Sequence, residues 1–166
     1  DFIDEIRALD FRSSTFKINV ALSGLPTFNA LKRDKSANGG PEHNCSIYLG
    51  PESIEAIHSA YLDAEVNGRP SSNPIVEINI PSVLDPTLAP PGHHIASLTV
   101  QYAPHDLPWS DARYKKAFVE RIFSLVDDYA SDFSKLIVDY DALSPQDLEV
   151  VFSLSLGNSY HGNMTP

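Results

Sequence analysis

Polar and apolar residues alternate through residues 15–23, TFKINVALS, with Phe16, Ile18, Val20 and Leu22 on one side. A period of two belongs to a strand with one buried face, so this segment predicts a half-buried strand. Elsewhere the period is near 3.6. DFIDEIRAL places Phe2, Ile3, Ile6 and Leu9 on one face of a short amphipathic helix. GPESIEAIHSAYLDAEVNG predicts a longer helix, with Pro51 in its first turn and Asn67-Gly68 at its stop. Its inner face is expected to carry Ile54, Ile57, His58 and Tyr61. SDARYKKAFVERIFSLVDDYA has the clearest helical stripe: Tyr114, Phe118, Ile122, Leu125, Val126 and Tyr129. Ser110 is the expected cap there, and Asp111 suits the positive end of the helix dipole. SPQDLEVVF opens a last helix, with Ser144 as cap, Pro145 in the first position and Asp147 completing a capping box.

NCSIYL, IVEINI, IASLTVQY and KLIVDY are further strand candidates, and residues 33–43, RDKSANGGPEH, predict an exposed loop. About five strands and three or four helices in mixed order predict an α+β fold, a mostly antiparallel sheet covered by helices.

With 166 residues the chain reads as a single domain, 1–166, large enough to bury a core without staples. The net charge of −10 changes the list of partners, because an acidic surface repels phosphate backbones and anionic membranes. No nucleic-acid role is expected. No run reaches the roughly 18 apolar residues of a membrane helix. DFIDEIRALD is acidic where a secretion signal would be basic, and both ends read as cuts from a longer chain. The single cysteine, Cys45, forms no internal disulfide and is expected as a small buried hydrophobe.

Candidate chemistry is sparse. No G-x-G-x-x-G or P-loop spacing occurs, and Gly39-Gly40 precede a proline in a polar loop. His93, His94 and His105 lie near one another, but adjacent histidines on a strand point to opposite faces, so no metal site is expected. No G-x-S-x-G elbow is present. Asp127, Asp128 and Asp132 at a helix end read as a solvated face. His58, on an apolar stripe, reads as a core histidine. The segment SLGNSYHGNM, residues 155–164, joins glycines that allow close backbone approach to Asn158, His161 and Met164. From residues alone it is a turn with polar side chains. No catalytic residue can be named.

IPSVLDPTLAPPGHHIASLTVQYAPHDL, residues 80–107, resembles the Asp-Pro-x-x-Ala-Pro-Pro-Gly segment of the phytoene desaturase-like flavoproteins. FKINVALSGLPTF and LIVDYDALSPQDLEVVFSLSLGNSYHGNM resemble the same family in the same order, so the likeness spans nearly the whole chain. It implies the substrate-domain portion of a two-domain FAD-dependent oxidoreductase, inactive alone. The parent would hold FAD in a Rossmann-type domain outside this chain, and no cofactor is expected on the chain itself. The implied partners are that flavin-binding domain and a small-molecule substrate, apolar or amphipathic, from which hydride is abstracted. By resemblance LDPTLAPPGHH is a structural turn, Gln101 and Tyr102 wall the substrate cavity, and Asn158, His161 and Met164 face substrate and flavin. Animal relatives of the family branch imply a mitochondrial location. The rival reading is a stand-alone binding or protein-interaction module without redox activity.

Overall fold

A computed structural model of the chain describes residues 1–31 and 39–162. The elements, in chain order, are helix α1 (Phe2–Arg7), strand β1 (Thr15–Leu22), strand β2 (Ile47–Leu49), helix α2 (Ile54–Glu65), strand β3 (Ile75–Asn79), strand β4 (His94–Gln101), helix α3 (Ala112–Tyr129), the single turn α4 (Phe133–Leu136), strand β5 (Ile137–Leu143) and helix α5 (Pro145–Phe152). The strands form one antiparallel sheet in the order β2-β3-β4-β1-β5. The α+β expectation therefore holds.

Alternation explains how the sheet divides its two faces. Phe16, Ile18, Val20 and Leu22 of β1 are all 0% exposed. Register places Phe16 opposite Val100, Ile18 opposite Leu98 and Val20 opposite Ala96, and β3 adds Val76 and Ile78. Helix α3 lays Phe118, Val119, Ile122, Phe123 and Val126 on this face. The stripe is wider than the sequence suggested: Val119 and Phe123 join it, while Tyr114, Leu125 and Tyr129 are only partly buried. At one end the Phe16 ring packs 5.2 Å from both Trp109 and Phe118, and Trp109 donates Nε1–H to the Pro104 carbonyl at 2.8 Å.

Several expectations are corrected. Helix α2 buries Ala60, Asp63 and Ala64, while Ile54, Ile57 and Tyr61 are 81%, 42% and 43% exposed and His58 is exposed with them. The small alanines bring the helix close to its neighbours, and the larger apolar stripe turns outward. Ser53 caps this helix through Ala56 N–H, so Pro51 lies ahead of it. Asp111, not Ser110, caps α3, accepting from Arg113 and Tyr114 N–H. Cys45 is exposed, because β2 starts two residues later. His43 is buried in a 3₁₀ turn at Pro41–Asn44 and not in an open loop; its ring takes Gly40 N–H and gives to the Pro26 carbonyl. Two of the three helix-end aspartates work as backbone acceptors: Asp127 for Ser134 N–H and Asp132 for Thr27 N–H. The α5 capping box forms as expected. The exposed-loop expectation for residues 33–38 lies outside the described residues.

The proline-rich approach to β4 is a jointed corner. Two 3₁₀ turns, Pro81–Val83 and Pro86–Leu88, are followed by a turn with Gly92 at φ +79° and His93 N–H bonded to the Pro90 carbonyl. Ser82 Oγ accepts Ile95 N–H at 3.0 Å and bonds His94 Nδ1 at 3.1 Å. Burial, and after it the charges of His43 and His93, lower the His94 pKa and so favour its neutral ring. His93 is exposed and points elsewhere, and among the described residues no cluster of metal-ligating side chains forms.

Candidate functional site

The second face of the sheet is polar. Register sets Asn19 between Asp141 and Ser97, with Asn79 beyond, and sets Lys17 between Leu143 and Thr99, with Glu77 and then Tyr48 beyond. All of these side chains are at least partly exposed. They are the polar positions of the same alternation that builds the core, so one backbone period makes both surfaces. Lys17 Nζ donates to Thr99 Oγ1 at 3.0 Å, Asn79 Nδ2 to Glu77 Oε1 at 2.9 Å and Ser46 Oγ to Asn79 Oδ1 at 2.7 Å. Lys17 is the one lysine or arginine on the five strands. Burial lowers its pKa, opposed by the Glu77 charge. Glu77 in turn raises the Tyr48 phenol above its ordinary range. The row ends at a cleft of about 490 Å³ lined by Tyr48, Gly50, Glu52, Ile57, Ile75 and Tyr129, within the size range of small-molecule pockets.

This surface can bind and orient. It offers an ammonium, a carboxylate, amides and hydroxyls in fixed order beside an apolar cleft. Among the described residues it holds no nucleophile–base pair and no metal-ligating cluster.

Gln101 lies at the end of β4 on the polar face, between Thr15 and Ile75. Tyr102 follows the strand; its ring meets Tyr61 edge-on at 5.7 Å and its carbonyl accepts Ser71 N–H at 2.8 Å. Asn158 is buried at 6% exposure, and its Oδ1 accepts Tyr160 N–H at 2.8 Å. His161 is exposed with φ +61°. Met164 lies outside the described residues. Both groups flank the segment 13–15: Ser13 N–H bonds the Leu156 carbonyl, Ser14 O accepts Ala103 N–H, and Thr15 pairs with Gln101. Gln101 alone shares a face with Lys17 and Thr99. Sequence reading missed Lys17, Glu77, Asn79 and Thr99. Their signal was the polar half of each alternating strand, but their alignment needs the register.

No protein-family model matches the chain. It is 40% identical over 168 residues to pyridine nucleotide-disulfide oxidoreductase domain-containing protein 2 of Rattus norvegicus, covering 99% of this chain and 29% of the relative. The Mus musculus protein of the same name gives the same identity and coverage. The chain thus spans less than a third of the length of these curated relatives.

Proposed function

We propose that this chain is the substrate-binding portion of an FAD-dependent oxidoreductase of the phytoene desaturase-like kind. In this reading the polar sheet face and its cleft form one wall of the substrate cavity, and a flavin-binding domain of the same protein forms the other. The observation that carries the reading is the division of the sheet. One face is covered by α3, and the other presents an ordered polar row that ends at a cleft on the β2 edge of the sheet. Similarity across 99% of the chain to a stretch of proteins named as oxidoreductases supports it.

In this reading the chain itself holds no cofactor, and the flavin sits in the partner domain and accepts a hydride there. Residues here would hold an apolar or amphipathic substrate by its body in the cleft and by its polar end at Lys17, Thr99 or Gln101. They would also exclude water. Asn158 and His161 would close one side of the cavity, and Tyr102 the end of the sheet; Met164 is proposed to contact substrate on the strength of the family resemblance alone. A mitochondrial location belongs to the same proposal.

Exposed apolar groups agree with a docked neighbour. Phe2, Ile3 and Ile6 of α1 are 73%, 54% and 46% exposed, and Val150, Val151 and Phe152 of α5 are 82%, 59% and 57% exposed. The test is a visible spectrum after incubation with FAD and desalting, run on this chain and on the longer parent protein. The expected result is flavin bands on the parent only. Stoichiometric bands on the chain, or none on either, would overturn the reading. A flavin-free parent with a monodisperse chain would instead favour a stand-alone binding module.

A further inference from the structure

His105 sits in the loop between β4 and α3, with its side chain 12% exposed. Its Nδ1 lies 2.8 Å from Asp106 Oδ1 and its Nε2 lies 3.0 Å from Glu149 Oε2. Both partners are carboxylate oxygens. A neutral imidazole carries one N–H, so one ring nitrogen would present a lone pair to a carboxylate. Only the imidazolium donates to both. The second oxygen of Glu149 accepts Leu156 N–H at 3.0 Å, and the Leu156 carbonyl accepts Ser13 N–H at 3.2 Å. The hydrogen bonds therefore run from the imidazolium through Glu149 into the backbone after α5.

That backbone needs holding. Ser153, Leu156 and His161 all adopt positive φ, at +58°, +49° and +61°, where side chains other than glycine are strained. A second tie is independent of protonation: Gln146 Nε2 donates to the carbonyls of His105 and Leu107, both at 2.9 Å. It fixes the start of α5 but not residues 153–162. The other charges around the loop are committed or lie across the adjoining cleft. Lys115 of α3 pairs with Asp147 of α5 at 2.7 Å, Arg12 pairs with Asp10 at 2.9 Å, and Arg12 and Glu65 line the opposite wall.

We propose that His105 is a pH-dependent positioning residue: as imidazolium it holds Asp106 and Glu149 together and, through Glu149, restrains the backbone at Leu156, and as neutral imidazole, with one N–H for two carboxylates, it keeps only one of them, so the clamp loosens. The segment it holds carries Asn158 and His161, so the clamp sets the shape of that side of the candidate site. It operates whether or not a flavin domain docks. Burial opposes the charge on His105, but the hydrogen bonds to Asp106 and Glu149 outweigh it and raise the pKa above 6.5. A raised folded-state value means the clamp is fully present below the ordinary value and is lost as pH rises through the folded one. On the acid side Leu156 N–H first, and His105 second, lower the pKa of Glu149, so the clamp persists until pH falls below the ordinary glutamate range.

The test is an NMR titration of the 166-residue chain, following the His105 ring and amide exchange of Leu156 corrected for its intrinsic pH dependence. The ring is expected to titrate above 6.5, with Leu156 protection falling roughly tenfold over the same range, the scale of one charge-assisted hydrogen bond. Glu149→Gln should remove the pH-linked part of that protection while leaving the Gln146 tie intact. His105→Gln should give low protection at every pH. A His105 ring titrating at or below the ordinary value would overturn the proposal. So would Leu156 protection that ignores its titration.

Discussion

Asp63→Asn tests whether a buried carboxylate organises the turn behind the candidate site. Asp63 is 6% exposed on α2 and gathers the following loop. One oxygen accepts Ser72 N–H at 2.9 Å and Ser72 Oγ–H at 2.7 Å; the other takes Arg69 at 3.0 and 2.6 Å and Asn67 Nδ2 at 3.3 Å. That loop delivers Ser71 N–H to the Tyr102 carbonyl. Asparagine keeps one acceptor and turns a donor toward donors. The Arg69 side chain is 60% exposed, so its ion pair contributes at most about 1 kcal/mol. The two Ser72 bonds are charge-assisted and partly buried on the Asp63 side, so their loss dominates, and the whole substitution should cost about 3 kcal/mol. In a domain of this size that lowers Tm by roughly 6–12 °C. The backbone N–H of Ser72, then its hydroxyl and Arg69, hold the carboxyl well below its ordinary value of 3.8. A depressed pKa contributes stability above the ordinary value and loses it as pH falls through the folded one. The gap between wild type and variant should therefore be constant near neutrality and narrow below about pH 4. Urea unfolding, read by the fluorescence of the single tryptophan in the core, measures it. Equal midpoints at pH 7, or a gap indifferent to acid, would refute the reasoning.

Other substitutions probe separate layers. Ile18→Ala in the central strand, at 0% exposure between Leu98 and Ala142, should cost about 2–5 kcal/mol by denaturant unfolding, and a loss below 1 kcal/mol would contradict the packing described. Gly157→Ala combines φ +71° with a new methyl group on the Pro145 carbonyl, so a loss of about 1–3 kcal/mol is expected in thermal melts; an unchanged Tm would mean that α5 and the turn after it are not packed as described. Tyr129→Phe removes a hydroxyl bonded to the Gly50 carbonyl at 3.2 Å and should cost about 1 kcal/mol in the same melts.

Periodicity read most of the architecture because core-facing strand residues report themselves directly. TFKINVAL buries each of its four large apolar residues, and the Ser144-Pro145-Asp147 start of α5 is a local motif that needs no tertiary information. Helix α2 shows where that fails. Ile54, Ile57 and Tyr61 form a stripe as apolar as any in the chain, yet the packed face is Ala60, Asp63 and Ala64. An aspartate becomes a core residue only because Ser72 and Arg69 return to it, and such partners are invisible to periodicity. The candidate site was half legible for a related reason. Lys17 and Glu77 are visible as polar strand positions, but they share one row only through β4, and no local signal sets that register. His105 was met as a failed metal ligand. Its partner Glu149 lies 44 residues away.

The strand order carries a consequence for synthesis. β1 is the first of the five strands, yet both of its neighbours, β4 and β5, are the last two. Lys17 meets Thr99 across 82 residues. At ribosomal rates of about 5–20 residues per second the first strand waits for several seconds with both edges unpaired and its apolar side bare. Pairings this distant also slow the folding search itself. The segment around β1 should therefore be a client for chaperones until β4 and β5 are made, and a nascent chain halted before residue 94 should be far more aggregation-prone than one halted after residue 143.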